Sequence, residues 1–237
     1  MKHQIWLIRI WDYKRMIIAI NKPIGPTSFD IVAKVRKITN TKKVGHAGTL
    51  DPLASGVLVV AVGREDTKKI SSIVEKEKEY VAEVTLGEES STDDNEGEKL
   101  LINGSVPELG DIKAVLLHFI GEIYQVPPIF SAMKINGKRA YKLAREGKEV
   151  EMKSRKVEIK EIELLEYTYP ILKIRVVTGP GVYIRSLARD IGRELGTGAY
   201  MSGLIRTRVG EFTIDKAKTI EEFEKKYSNN VIPTGAM

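Results

Sequence analysis

The chain has 237 residues, of which 42% are apolar and 30% charged. This composition supports a folded core and excludes a disordered, collagen-like or low-complexity protein. The chain has no cysteine, which excludes a disulfide scaffold, a thiol nucleophile and a Cys-ligated metal site. The three histidines, His3, His46 and His118, do not have the spacing of a metal motif. We therefore expect no metal site.

The charge is unevenly distributed along the chain. The net charge is +6, yet residues 88–99 hold six acidic residues and one lysine, a net −5, so the other residues carry +11. A basic body suits a polyanionic partner, although an ordinary solvated Lys/Glu-rich surface explains the charge equally well. No apolar run approaches the roughly 20 residues that cross a membrane. Without a recognisable targeting signal, we expect a cytoplasmic protein with no membrane partner.

In the first half of the chain, Ile17–Ile20 is typical of a short buried strand. A Pro- and Gly-rich loop follows, and then Thr27 and Asp30 form a capping-box pattern that predicts the start of a helix. Residues 41–56 are rich in Gly, Thr and Pro and are predicted to be irregular. The continuous apolar run Val57–Val62 indicates a strand that is buried on both faces.

In the second half, Tyr80–Leu86 alternates as a strand with one buried face, and Ser105 with Glu108 predicts a capped helix that ends near Phe119. The further predicted elements are a short helix (139–145), two paired strands (155–167 and 171–177), a helix (183–195), a strand (209–214) and a helix (219–227). Strands outnumber helices without regular alternation. We therefore predict an α+β fold with a mixed, largely antiparallel central sheet flanked by helices.

Asp51 is the first candidate for chemistry. It lies in an uncharged stretch with three glycines, between Leu50 and Leu53. Glycines let a loop bend sharply and let a ligand approach the backbone. A carboxylate among apolar neighbours is either desolvated or paired with a cation. The alternative is a turn aspartate that hydrogen-bonds to its own backbone.

Arg185 is the second candidate, because it lies in the first turn of a predicted helix, where the helix dipole favours anions. We expect it to have a carboxylate or phosphate partner, unless it simply reaches solvent. Arg189 and Arg193 continue the row at intervals of four residues, and for Arg193 a solvated face is the preferred interpretation. Tyr80 follows Lys76 and Lys78, so its ring could stack on a base, or it could be a packing residue.

Five blocks of the chain together resemble the bacterial tRNA pseudouridine-55 synthases. They occur in the family's order and spacing. They are residues 21–28 (NKPIGPTS), 45–58 (GHAGTLDPLASGVL), 78–87 (KEYVAEVTLG), 125–134 (QVPPIFSAMK) and 183–187 (YIRSL). The resemblance implies an α+β catalytic domain that isomerises one uridine of the TΨC loop of tRNA to pseudouridine. It also implies no cofactor and no metal, with the T-arm of tRNA as the partner.

The resemblance also implies roles for individual residues. Asp51 matches the catalytic aspartate, which acts on C1′, on the uracil ring or on a sugar proton. Arg185 matches the arginine that pairs with it, Tyr80 the ring that stacks on the flipped uracil, and Tyr183 a second active-site tyrosine that could relay a proton at C5.

The remaining matched residues are expected to bind the RNA or line the pocket. His46 matches the histidine that holds the opened RNA loop, and Gly48 and Thr49 belong to the same block. Lys22 and Leu204 match residues that line the pocket.

The resemblance predicts a catalytic domain over residues 16–237, preceded by an extension of unknown role at 1–15. No PUA-type RNA-binding module is expected after it, and we expect a monomer. Two other functions remain open: a guide-RNA-dependent pseudouridine synthase of the same superfamily, and a chaperone that opens the tRNA elbow without chemistry.

Overall fold

The fold is described from a computed structural model, which describes residues 15–102, 104–131, 133–135, 137–147 and 151–228. The predicted extension at 1–15 lies outside these residues except for Arg15.

Thirteen strands occur in the described residues. They are β1 (Met16–Lys22), β2 (Val44–Ala47), β3 (Ala54–Val62), β4 (Lys78–Leu86), β5 (Glu88–Ser90), β6 (Lys99–Leu101), β7 (Gly121–Gln125), β8 (Lys134–Ile135), β9 (Lys138–Arg139), β10 (Arg155–Thr168), β11 (Ile171–Thr178), β12 (Ala199–Val209) and β13 (Phe212–Thr213).

Seven helices occur in the same part of the chain. They are α1 (Ser28–Thr39), α2 (Arg64–Thr67), α3 (Ile70–Val74), α4 (Leu109–His118), α5 (Ala140–Arg145), α6 (Ile184–Glu194) and α7 (Ile220–Ser228).

One nine-stranded sheet organises the molecule. Its main path runs β1-β3-β12-β4-β11-β10-β7, with β2 paired to β3 and β13 paired to β12. Every pairing is antiparallel except that between β3 and β12. The prediction of an α+β fold with a mixed, largely antiparallel sheet is therefore confirmed.

The core lies between this sheet and the helices. The largest apolar cluster joins β4, β11 and β12 to α4 and α6, and a second joins β1 and β3 to α1 and α7. In β4 the alternate residues Tyr80, Ala82, Val84 and Leu86 are buried, as the alternating pattern predicts. The strand β3 is buried almost throughout, because it lies inside the sheet and is covered on both faces.

Most predicted elements are present, and three details are wrong. The segment 41–56 is not irregular throughout, because it contains β2 and the start of β3. The capping box of α4 is Glu108 with Asp111, not Ser105 with Glu108, so this helix begins at Leu109. By contrast, the capping box of Thr27 and Asp30 is present at the start of α1.

The third error concerns the predicted strand 209–214. This region contains the two-residue strand β13 and the end of β12, an eleven-residue central strand that ends at Val209. Its alternation is hidden in the sequence because its pairing with β4 shifts register twice, at Met201/Gly203 and at Arg206/Arg208. Each shift exchanges the faces to which the following side chains point.

Gly56 is required where β3 meets β12. Its φ is +103°, and a Cβ there would lie 2.2 Å from the carbonyl oxygen of Arg206. We predict that Gly56→Ala lowers the free energy of unfolding by at least about 2 kcal/mol, because neither backbone can yield. Gly110→Ala in α4 is the matched control, since its Cβ would meet open space, and it should gain about 0.5 kcal/mol. Urea titration measures both; equal effects would contradict the prediction.

Candidate active site

Asp51 lies on the loop that joins β2 to β3. β2 ends at Ala47 and β3 begins at Ala54, so the loop spans residues 48–53. Its tip is tied to the start of α1 by Ser28, whose hydroxyl donates to the Leu50 carbonyl oxygen at 2.9 Å and accepts from the Leu50 amide at 2.8 Å. These two bonds hold Leu50, the residue before Asp51, through both its amide and its carbonyl oxygen.

Lys22 also contacts this loop, through the carbonyl oxygen of Pro52. It is fully buried, and its ammonium group donates to the carbonyl oxygens of Pro23 and Pro26 at 2.9 Å and of Pro52 at 3.5 Å. Burial lowers the pKa of Lys22, while the charge of Asp51 partly offsets this effect. Lys22 contributes nothing to the walls of the two cavities described below. Its observed contacts join two loops.

Arg185 and Asp51 form an ion pair. Tyr183 caps α6, and Arg185 in the first turn places Nη2 3.0 Å from Oδ2 of Asp51. The Arg185 side chain is 7% exposed, whereas that of Asp51 is 37% exposed. The pair is therefore anchored on the buried arginine and presents the carboxylate outward.

The acidic segment 88–99 pairs with the arginine row of α6. The pairs are Asp94 with Arg185 at 3.2 Å, Asp93 with Arg189 at 2.8 Å and Glu89 with Arg193 at 3.5 Å. The interval of four residues places all three arginines on one helix face. The solvated interpretation suits only Arg193, whose side chain is 59% exposed. The segment is thus a structural partner of the helix that carries Arg185.

Asp94 is the most enclosed carboxylate of this segment. Its side chain is 4% exposed, and it accepts bonds from the Thr92 hydroxyl at 2.5 Å and from the Glu96 amide at 3.0 Å. Arg185 therefore lies between two carboxylates, Asp51 on its open side and Asp94 on its buried side. Burial also raises the pKa of the neighbouring Asp93, although Arg189 opposes that shift.

Two cavities meet at Asp51 and Arg185. A groove of about 640 Å³ and a smaller cleft of about 70 Å³ share four lining residues, Thr49, Leu50, Asp51 and Arg185. The cleft is closed by Tyr80, Tyr183 and Leu204 with three apolar neighbours. The carboxylate therefore lies on the wall that the groove and the cleft share.

Tyr183 is held by its backbone as well as its ring. The buried Gln125 amide donates to the Tyr183 carbonyl oxygen at 3.1 Å, and the Tyr183 amide donates to the Gln125 oxygen at 2.8 Å. The Arg155 guanidinium lies 4.9 Å from the centroid of the Tyr183 ring, a cation–π distance. Tyr183 is thus held at its backbone by Gln125 and at its ring by Arg155.

His46 lines the groove at the end of β2. Burial lowers the pKa of its imidazole, and the charge of Arg206 adds to this effect, so the ring favours the neutral form. Its Nδ1 atom is buried without a hydrogen-bond partner among the described residues. Gly48, with φ +86°, offers its carbonyl oxygen to Arg206 at 3.0 Å. Gly48 therefore faces the protein and not the groove.

The structure thus divides the candidate residues into three groups. Asp51, Arg185, Tyr80, Tyr183 and Leu204 meet at the cleft, His46 and Thr49 line the groove, and Lys22 and Gly48 line neither cavity. The sequence analysis missed Asp94 as a partner of Arg185. The sequence offered one signal for this pairing. Residues 88–99 carry a net charge of −5, and the chain also has a row of three arginines at intervals of four residues.

The family models that match this chain are those of pseudouridylate synthases. A family model described as "TruB family pseudouridylate synthase (N terminal domain)" matches residues 36–184, and one described as "tRNA pseudouridylate synthase B C-terminal domain" matches 185–231. The chain therefore belongs to the TruB family, which confirms the resemblance. The boundary between the two models falls inside α6, and β12 from the second lies between β3 and β4 from the first. Both parts share one sheet and one site.

Curated relatives agree with this assignment. The chain is 49% identical to a "tRNA pseudouridine synthase B" of Parabacteroides distasonis, covering 91% of this chain and 94% of the relative. It is 46% identical to the protein of that name from Clostridium acetobutylicum, covering 91% and 75%. Among solved structures, a chain of the "Cbf5-Nop10-Gar1 Complex" matches with a TM-score of 0.72 and 36% identity. The match covers 91% of this chain but only 55% of that one.

No helix among the described residues is long and apolar enough to cross a membrane. No three His, Cys, Asp or Glu side chains in that part of the chain are grouped to hold a metal ion.

We predict that Asp94→Asn lowers the free energy of unfolding by about 3 kcal/mol, because it removes one partner of a buried ion pair. The matched control is Glu161→Gln, an acid-to-amide change in an ion pair with Arg175 whose glutamate is 58% exposed. This variant should stay within about 0.5 kcal/mol of the parent. Equal losses in chemical denaturation would show that the Asp94 pair does not carry the stated energy.

Lys78 is a second buried cation near this loop, and its ammonium group donates to the carbonyl oxygens of Val74 and Lys76 at 2.7 Å. Burial lowers its pKa to about 8. Below pH 8 Lys78 is charged in both the folded and unfolded states, and the folded state carries the cost of burying the charge. As the pH rises from 8 to 10.5, the folded state loses the proton first, and this cost disappears.

We therefore predict a pH-dependent difference between the parent and Lys78→Met. The parent should gain about 3 kcal/mol relative to the variant between pH 8 and 10.5. Urea titrations of both proteins at pH 7.5, 9 and 10 measure the difference, and other titrating groups cancel. A difference that does not change with pH would contradict the lowered pKa.

Proposed function

We propose that this chain is an isomerase that converts the uridine at position 55 in the TΨC loop of tRNA to pseudouridine. The observation that carries the proposal is the Asp51–Arg185 pair at the junction of the groove and the cleft. The relatives named tRNA pseudouridine synthase B support tRNA as the substrate. The proposed reaction uses no metal and no cofactor.

In this reaction the C1′–N1 bond of the nucleotide breaks and a C1′–C5 bond forms. N1 gains a proton and C5 loses one, so the product is an isomer of the substrate. Asp51 is proposed to act as the carboxylate at C1′, at the ring or at a sugar proton. Arg185 orients this carboxylate from 3.0 Å. Fixing a reactive group before the substrate arrives removes much of the entropic cost of the step.

The base must leave the RNA stack before its glycosidic bond can be reached. We propose that the flipped uracil enters the cleft and stacks on the Tyr80 ring, which with Leu204 forms an apolar part of its wall. Stacking offsets part of the cost of flipping. Tyr183 is proposed to relay the proton at C5, and His46 and Thr49 to contact the RNA in the groove. The basic body attracts the phosphates.

The two other functions have less support. A chaperone that only opens the tRNA elbow has no need of a carboxylate held by a buried arginine. A guide-RNA-dependent pseudouridine synthase would agree with the Cbf5 structures, but those match at 33–36% identity over 54–55% of their chains. The curated tRNA pseudouridine synthases B match at 46–49% over 75–94% of theirs. We further propose a monomer that acts in the cytoplasm.

We predict that Asp51→Asn forms essentially no pseudouridine while binding tRNA within about threefold of the parent, because the amide keeps the shape and removes the charge. The experiment incubates each protein with an unmodified tRNA transcript and maps pseudouridine at single-nucleotide resolution. Asp215→Asn is the matched control, since this exposed aspartate lies on a distant turn.

Each outcome of this experiment bears on one claim. Modification of one T-loop uridine by the parent and the control, but not by Asp51→Asn, supports the proposal. Substantial turnover by Asp51→Asn removes Asp51 from the chemistry. Binding by the parent without any product would favour the chaperone.

A further inference from the structure

Arg206 on β12 is the largest of the fully buried side chains in the described residues, at 1% exposure. No carboxylate lies within ion-pair distance of it in the part of the chain that the structure describes. Taking a charged group out of water is costly unless other polar groups replace the water. The polar groups that contact this guanidinium therefore indicate its role in the structure.

The guanidinium binds two backbone carbonyl oxygens. Nε donates to Val57 at 2.8 Å and Nη2 donates to Gly48 at 3.0 Å. Gly48 is the first residue of the loop 48–53, and Val57 is the fourth residue of β3. One side chain thus joins the two ends of the segment 48–57, which carries Asp51.

The sheet explains why Arg206 can reach both ends. β12 pairs with β3 over only three residues, and the last pair is Arg206 with Gly56. The next carbonyl, that of Val57, is bound by the Arg206 side chain. On its other edge, the Arg206 backbone pairs with Tyr80. The residue therefore stands between the catalytic loop and the ring proposed to stack on the base.

We infer that Arg206 is a positioning residue for the reaction: it ties the first residue of the loop 48–53 to β3 at Val57 and thereby fixes the place of Asp51. It lines neither the groove nor the cleft, so it acts through the loop and not on the substrate. A planar guanidinium presents donors in a rigid fork, which a lysine ammonium cannot do. The catalytic part of this inference rests on the proposed function.

The test uses Arg206→Met, which removes both donors, and Arg206→Lys, which keeps the charge and one donor. Ile112→Ala is the control for general destabilisation, since Ile112 is fully buried in α4 and is not among the hydrogen-bond partners of Arg206. Deuterium exchange of the amides at 48–57 reports the loop directly. The rate of pseudouridine formation on tRNA, measured well below every Tm, gives kcat and KM.

For Arg206→Met we expect exchange at 48–57 to rise about tenfold or more, while distant segments stay unchanged. We expect kcat to fall about 100-fold with KM within about threefold, because the carboxylate is misplaced but the RNA-binding surface remains. Arg206→Lys should lie between the parent and Arg206→Met in both measurements. Ile112→Ala should change neither the exchange at 48–57 nor the ratio of kcat to KM.

Unchanged exchange at 48–57 in Arg206→Met would overturn the inference. So would a loss of kcat that Ile112→Ala matches. If Arg206→Met does not fold, Arg206→Lys decides, and parental exchange and kcat in that variant would overturn the inference equally. A parent that makes no pseudouridine would refute the proposed function, and the exchange data would still test whether Arg206 fixes the loop.

Discussion

The site depends on one guanidinium that joins three distant parts of the chain. Arg185 on α6 contacts Asp51 on the β2–β3 loop, Asp94 in the acidic segment and the carbonyl oxygen of Phe130. These partners come from elements that meet only when the sheet is complete. Because Arg185 is buried, each partner replaces some of the water it has lost. The geometry at Asp51 is therefore a consequence of the whole fold and not of its own loop alone.

Some of this site could be predicted from the sequence, because local chemistry carries the signal. Arg185 in a first helical turn needs an anion, and Asp51 between leucines needs a cation. Asp94 could not be assigned in this way, since an acidic stretch rich in Ser and Asp is usually a solvated loop. Only tertiary structure shows that it packs on α6, where Asp94 and Asp93 meet two buried arginines.

The fold shows the same division between local and long-range information. The alternation of β4 and the capping box of α1 are local, and both were predicted correctly. β12 was missed because its two register shifts break the alternation. In addition, an arginine in a strand usually indicates a surface position, whereas Arg206 is buried. Its place between β3 and β4 is set by pairing with residues more than 100 positions away. No window of the sequence contains that information.

Besides Arg185, three buried cations lie near the loop that carries Asp51, and all three have backbone carbonyl oxygens as partners. Lys22, Lys78 and Arg206 donate to backbone carbonyl oxygens. A carbonyl dipole replaces part of the lost hydration without adding a formal negative charge. Carboxylates in the same positions would repel Asp51 and compete with it for Arg185. With carbonyl partners, the cations tie the loop to its surroundings while leaving the local potential positive. The same contacts thus hold the loop in place without placing a second carboxylate beside Asp51.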